Sequence, residues 1–238
     1  MAGYTRDFLT TKHKHYDEKF NDWHFHLMSY LGGQDYQNGY LLNRYILETD
    51  EEYLKRAENT PVDNHCKNVV QIYTSFLFRV PPTRDYGTLT GDPQLQSFIQ
   101  DADLDGRSFD NVIREMQMNA SIYGTCWAVL DKPAVQSQTR AEELQLDIRP
   151  YINLYTPENV MNWNFQRSIN GKYVLTSLTL LEDLHNDVAT IRVWTPEDIT
   201  TYMVEDFTKG YSSSKPILKD EMINELGKIP AVILYNQK

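Results

Sequence analysis

An acidic turn, Asp-x-Asp-x-Asp-Gly at residues 101–106, is the segment of this sequence closest to a known chemical motif. It copies the first half of a calcium-binding loop, in which alternating carboxylates converge on the ion and the glycine makes the sharp turn. The second half departs from that loop, because Val112 replaces the bidentate glutamate and Ser108 replaces an apolar residue. We interpret the segment as an acidic turn in which Ser108 caps the next helix, and we predict no calcium site.

Two His-x-His pairs near the N-terminus, His13/His15 and His24/His26, are the next candidates. Residues two apart share a face of a strand but not of a helix, and the second pair lies within a helical pattern. A zinc site would also need a third ligand, usually supported by a carboxylate. We predict no metal site, and we expect residues 12–15 to form a flexible basic arm followed by surface histidines.

The two cysteines, Cys66 and Cys126, lie in apolar patterns and are predicted to be buried, inert thiols. Two cysteines do not build a disulfide framework, which fits a chain folded in a reducing cytoplasm. The sequence also lacks the nucleophile-elbow, phosphate-loop and dinucleotide-binding glycine motifs. We predict no catalytic residues and no cofactor, and a metal-dependent hydrolase built from scattered carboxylates is the weakest alternative.

Charge and composition limit the function further. The chain has 238 residues, with 23 Lys and Arg against 33 Asp and Glu, which gives a net charge of −10. Tight nucleic-acid binding through a basic face is therefore disfavoured. With 41% hydrophobic residues, and no apolar stretch of the roughly 20 residues needed to span a bilayer, the sequence predicts a soluble globular protein with no membrane partner.

The first half of the chain carries helical patterns. The predicted helices cover residues 17–31, 50–58, 61–80, 93–102 and 109–123. We expect Thr60 to be the N-cap of the third helix. We also expect this helix to lie in the protein interior, because apolar residues recur at spacings of three and four from Val62 to Val80. The run Thr125–Leu130 predicts a strand buried on both faces.

The second half alternates with period two, which is typical of strands. Strands are predicted at 150–155, 160–166, 173–181, 189–194, 200–205 and 229–235. Asn170-Gly171 and Asn186-Asp187 indicate hairpin turns, so we predict an antiparallel meander. Residues 134–148 are polar and are predicted to be an exposed loop. The fold class is α+β, with N-terminal helices followed by the β-meander.

Aromatic residues are the remaining feature. The chain has 16 Tyr and 4 Trp, and Trp163 and Phe165 lie among Asn162, Asn164 and Gln166. Aromatic side chains on a polar background are common at protein–protein interfaces. We consider Trp163 and Phe165 candidate subunit-interface residues, with burial in the core as the equal alternative.

Four segments occur in a recognisable order: Tyr40–Pro82, Leu95–Pro133, Arg149–Phe165 and Leu226–Asn236. The second contains the acidic turn, a capped helix that ends in glycine and a Val-Leu-Asp-x-Pro strand. A long polar loop follows it, and the third segment begins with an Arg-Pro-Tyr strand. Read together, they resemble a bacteriophage portal protein, the head-to-tail connector. The alternative is another neck or tail structural protein of the virion.

The resemblance implies a homo-oligomeric ring of twelve copies at one capsid vertex of the virion, made in the bacterial cytoplasm. Double-stranded DNA would be pumped through the ring by terminase, without tight binding, and a tail or adaptor protein would attach below the capsid protein shell. The wing would consist of a helical part at 1–133, a loop at 134–148 and a sheet part at 149–238. Stem, clip and crown would lie outside this chain. The resemblance assigns no DNA-facing residues.

Overall fold

The computed structural model describes residues 3–38, 41–61, 63–133, 139–209 and 214–236. The helices are α1 Arg6–Thr10, α2 Lys14–Leu31, α3 Gly33–Asn38, α4 Asp50–Asn59, α5 His65–Leu77, α6 Pro93–Gln100, α7 Phe109–Tyr123 and α8 Arg140–Gln145. The strands are β1 Thr125–Asp131, β2 Tyr151–Tyr155, β3 Val160–Arg167, β4 Tyr173–His185, β5 Val188–Trp194, β6 Asp198–Val204, β7 Ile217–Ile223 and β8 Ala231–Tyr235. The predicted α+β class is confirmed.

The strands form two antiparallel sheets, with orders β2-β1-β8 and β3-β4-β5-β6-β7. The five-stranded sheet is the predicted meander. Its β4–β5 turn places Asn186 and Asp187 at φ 49° and 63°, the left-handed backbone of a type I′ hairpin. The β3–β4 turn closes with Gly171 at φ +80°. Both predicted hairpins are therefore present.

Two parts of the strand prediction are wrong. The strand at 150–155 does not join the meander but pairs with β1, and β8 pairs with the other side of β1. Strand β7 was missed, because its sequence Ile-Leu-Lys-Asp-Glu-Met-Ile does not alternate and almost all of it is exposed at the sheet edge. The segment predicted as a loop at 134–148 contains helix α8; residues 134–138 lie outside the described residues.

The two sheets pack face to face and are covered by helices on both outer sides. Trp127 and Val129 of β1 meet Leu178 of β4 in the core between the sheets. On the outer side of the three-stranded sheet, α7 packs through Met116 and Ala120. Burial on both faces thus explains the continuous apolar run of β1.

The prediction of a flexible basic arm at residues 12–15 is wrong, because α2 begins at Lys14 and the His13 amide donates to the Met161 carbonyl of β3 at 2.8 Å. The residues before it are also docked on the five-stranded sheet. Leu9 of α1 is fully buried in a cluster with Ile191 and other residues of β5 and β6. Arg6 donates hydrogen bonds to the carbonyls of Glu205 at 2.6 Å and Asp206 at 2.7 Å. Tyr4 packs on the same cluster, and its amide donates to the Tyr202 hydroxyl at 3.2 Å. The segment is therefore held by several contacts, although its sequence is largely polar.

A polar network crosses the core from one sheet to the other. Arg192 of β5 donates to Asp131 of β1 at 2.6 Å, and Tyr151 of β2 donates to the same carboxylate at 3.0 Å. Tyr155 donates to Glu182 of β4 at 2.9 Å. Burial raises the pKa of Glu182, and the Tyr155 hydroxyl partly opposes that rise. The network therefore links β1 and β2 to β4 and β5 through paired polar side chains.

Candidate subunit interface

Helix α5 lies on the outside of the helical layer, where it packs on α2 and α7. It begins at His65, and its N-cap is Asn64, whose side chain accepts from the Lys67 amide at 2.9 Å. The prediction that Thr60 caps this helix is wrong, since Thr60 is the C-cap of α4. Val62, the first residue of the predicted stripe, lies outside the described residues.

Most of the apolar stripe of α5 is exposed. Inward contact comes from Thr74, which is buried, and from Val70, which packs against the cluster of α2 and α7. The outward side chains are 50–74% exposed: Val69, Ile72, Tyr73, Phe76, Leu77 and Val80. We call these six residues the α5 face. The prediction of an interior helix is therefore wrong for the isolated chain, and Cys66 is exposed rather than buried.

The α5 face borders an open groove and carries positive charge. The groove has a volume of about 490 Å³ and is lined by Asn68, Gln71, Ile72, Ser75, Phe76 and Arg79. Residues 64–84 include Lys67, Arg79 and Arg84 and contain no Asp or Glu. In a chain of net charge −10, this segment is distinctly basic as well as apolar.

A second exposed apolar surface lies at the start of α4 and in the segment before it. Its exposed side chains are Tyr45, Ile46, Leu47 and Leu54, which we call the α4 patch. Arg56 donates to both carboxylate oxygens of Glu48 at 2.8 Å, and this contact lowers the pKa of Glu48 to about 2. Thr49 and Glu52 form a reciprocal capping box that begins the helix.

The two residues predicted for a subunit interface have different surroundings. Trp163 packs inside the chain, with its ring centroid 4.1 Å from His13 and 5.7 Å from Trp127. Phe165, further along β3, is 38% exposed. Their assignment to a subunit interface stays a prediction, and the alternation of β3 could not distinguish the two environments.

The acidic turn is held by groups of the chain itself. The Asp103 carboxylate accepts from the amides of Asp105 at 3.0 Å and Arg107 at 3.1 Å, and it also contacts the Arg107 guanidinium. Asp101 accepts from the Gly106 amide at 2.9 Å and from Arg149 at 2.6 Å. These contacts explain the motif as a turn.

The other candidate residues are dispersed. The His13 side chain caps α2 by accepting from the His15 amide at 3.1 Å, while His24 and His26 are exposed on α2. Cys126 is fully buried, and burial raises its pKa to about 12. Within the described ranges, no three His, Cys, Asp or Glu side chains are placed to hold a metal ion.

A layered α+β unit with a broad exposed apolar helix face is typical of a structural protein that assembles with other chains. Comparison with protein families matches residues 15–238 to the family described as phage portal protein, SPP1 Gp6-like. The chain therefore belongs to this portal family. Among curated proteins, no significant match is found.

Family membership gives the protein its general role. It is a structural component of the phage virion, a portal protein that forms an oligomeric ring in the capsid and associates with capsid and tail proteins. DNA passes through the ring, and the tail attaches to it. None of the described helices is long and apolar enough to cross a membrane.

Proposed function

We propose that this chain forms the wing of a portal subunit that works by shape and copy number and is not an enzyme. Residues 1–133 would be its mainly helical part, 149–238 its sheet part and 134–148 the connection. The pairing of β1 with β2 and β8 supports one wing, because strands from both parts share a sheet. Twelve copies would close the ring, the number implied by the resemblance.

The net negative charge of the chain supports a channel that does not bind DNA tightly. Terminase would drive double-stranded DNA through the ring. Each phosphate neutralised by Lys or Arg strengthens DNA binding and makes it dependent on salt. A subunit with 33 acidic and 23 basic residues offers little such neutralisation. DNA can then slide past without tight binding.

The observation that carries the proposal is the exposed α5 face. Monomeric proteins rarely leave a contiguous apolar face of this kind in water, and such faces mark protein–protein contacts. Six of its large side chains are at least half exposed, while Thr74 on the inward side is buried. We infer that the neighbouring subunit of the ring covers this face. Burial against a neighbour explains why a stripe typical of an interior helix lies on the outside of one subunit.

Native mass spectrometry of the purified full-length portal protein tests the proposal. We expect a closed ring of twelve copies without added nucleotide or metal. The variant Ile72→Asp should shift the mass distribution towards monomers, because a carboxylate would be buried at the contact. Leu146→Asp, at a site that is 62% exposed outside both surfaces, is the matched control and should assemble normally.

Two results would contradict the proposal. One is a wild-type protein that stays monomeric at concentrations at which portal rings are purified. The other is normal assembly of Ile72→Asp, which would leave ring formation intact but remove the α5 face from it.

A further inference from the structure

The α5 face and the α4 patch have opposite charge. Residues 45–58, which include the α4 patch, contain five acidic residues and two basic ones, and Asp50 is also paired with Arg44. Residues 64–84 contain three basic residues and no acidic ones, and Arg84 among them is paired with Asp110 of α7. A net acidic excess on one side and a net basic excess on the other remain. Both surfaces are apolar at their centres, with Ile46 and Leu47 93% and 78% exposed in one and Ile72 and Phe76 54% and 67% exposed in the other.

The two surfaces lie on helices that have different packing neighbours in the helical layer. Helix α5 packs on α2 and α7, whereas α4 packs on α3, and α3 packs on α2. Both surfaces are therefore anchored to α2, α5 directly and α4 through α3, and each faces solvent in the single subunit. A ring closed by head-to-tail contacts needs two different complementary surfaces on each subunit.

Helical spacing aligns charge with apolar side chains on the outer side of α4. Leu54 and Glu58 lie at positions i and i+4, which share one helix face, and both are exposed. Glu51 lies on the same face and is ion-paired with Lys55 at 2.7 Å. On the other surface, Arg79 lines the same groove as Ile72 and Phe76. An apolar centre flanked by acid on one surface thus matches an apolar centre flanked by base on the other.

We propose that the α5 face of one subunit packs on the α4 patch of the next subunit, a second copy of this chain. This proposal rests on the proposed ring and names the contact that closes it. Apolar burial would supply most of the affinity, and the opposite charges would set partner choice and rate of association.

Cysteine crosslinking of assembled rings tests the contact. The test variant combines Cys66→Ser, Ile72→Cys and Leu47→Cys, and its assembled rings are treated with a short bis-maleimide. Cys126 is buried and should not react. Because the contact is head-to-tail, we expect a ladder of covalent oligomers reaching the full ring size on a denaturing gel. Chains with only one of the two introduced cysteines should give no covalent oligomers. The matched control combines Ile72→Cys with Leu146→Cys instead of Leu47→Cys and should also give no covalent oligomers.

The outcomes separate this proposal from the function on which it rests. Rings that form but give no ladder overturn the α5–α4 contact and leave the ring standing. Covalent dimers from Ile72→Cys alone would show that the α5 face meets its own copy. A bridge within one monomer, identified by peptide mass, would show that the chain covers its own face. A protein that forms no rings at all contradicts the proposed function itself.

A charge test gives a second measurement. Arg79→Glu should slow ring assembly about tenfold at low ionic strength, and the effect should shrink as salt is added. Adding Glu58→Arg to the same chain should restore part of the rate. Lys172→Glu makes the same charge change in the β3–β4 turn and should leave the rate unchanged. Equal slowing by Arg79→Glu and Lys172→Glu would mean that overall charge, and not this contact, controls assembly.

Discussion

Helices α5 and α7 have the same kind of amphipathic pattern, but only α7 is covered within the chain. Met116 and Ala120 of α7 are at most 5% exposed, because the three-stranded sheet covers them. Ile72 and Phe76 of α5 are more than half exposed. Periodicity thus predicts that a face will be covered, but it does not say whether the cover comes from the same chain. In a ring-forming protein, part of the apolar interior lies between subunits.

Ion pairs differ in the same way between the core and the helical surface. In the sheet core, Asp131 and Arg192 are paired with their side chains 3% and 14% exposed. On α4, Glu51 and Lys55 form a pair whose side chains are more than two-thirds exposed, and such pairs contribute little to stability. The core should therefore be sensitive to single substitutions, and the helical surface should be sensitive mainly through assembly.

Removing the core arginine should have the largest effect. Arg192→Met leaves Asp131 buried without its cationic partner, and we expect the free energy of unfolding to fall by about 3–5 kcal/mol. Urea denaturation of the monomeric subunit measures this. Arg79→Met, on the exposed groove of α5, is the control and should change the value by less than about 0.5 kcal/mol. Equal losses would show that the exposed helix is as tightly integrated as the core.

The two amphipathic helices can be compared directly by truncation. Met116→Ala in α7 should lower the free energy of unfolding of the monomer by about 2–5 kcal/mol, because it leaves a cavity against the sheet. Ile72→Ala in α5 should lower it by less than about 0.5 kcal/mol and instead raise the concentration needed for ring assembly. A monomer destabilised equally by both changes would mean that the chain itself covers the α5 face.

Local signals in the sequence predicted the elements that local chemistry determines. Ser108 caps α7 and Gly124 ends it at φ +87°, as the residue types indicate. The two hairpin turns followed from Asn-Gly and Asn-Asp. The partner of a strand is a long-range property, so the alternation in 150–155 was the same whether β2 paired with β1 or with the meander. The docking of Leu9 also depends on a distant surface, the outer side of β5 and β6.

The candidate site could be predicted only in part. The apolar stripe of α5 was evident from its spacing, but its cover was assigned to the wrong place, because burial by a neighbour and burial by the chain leave the same pattern. The charge contrast between 45–58 and 64–84 was present in the sequence. It became informative only when the structure showed both segments exposed and supported by different helices.

The cross-sheet network predicts a pH dependence of stability that comes from Glu182. Burial raises the pKa of Glu182 above its ordinary value of about 4.3. The folded state therefore keeps this proton at pH values where the unfolded chain has lost it. The favourable contribution is complete below the ordinary pKa and is lost as pH rises through the raised one.

Replacing Glu182 by glutamine should remove that loss while keeping an acceptor for Tyr155. Relative to wild type, the free energy of unfolding of Glu182→Gln should rise as the pH increases above about 4 and should then level off. The total rise should be about 1.4 kcal/mol for each unit by which burial raises the pKa of Glu182. Denaturant titrations across this range measure the difference. Glu51→Gln on α4 is the control. A Glu182→Gln profile that stays parallel to wild type would show that burial does not govern this carboxyl.

The helix caps test whether the two regions unfold together. Ser108 accepts from the Asn111 amide at the start of α7, and Thr49 accepts from the Glu52 amide at the start of α4. Removing either hydroxyl with alanine costs its helix about 1 kcal/mol. Because α7 packs against α2, α5 and β1, Ser108→Ala should lower the global free energy of unfolding by that amount. Helix α4 packs chiefly on α3, so Thr49→Ala should instead speed amide exchange within α4 and leave the global midpoint nearly unchanged.

If both caps lowered the global midpoint equally, α4 would belong to the same cooperative unit as the sheets. The α4 patch would then be as rigid in the free subunit as the core behind α7.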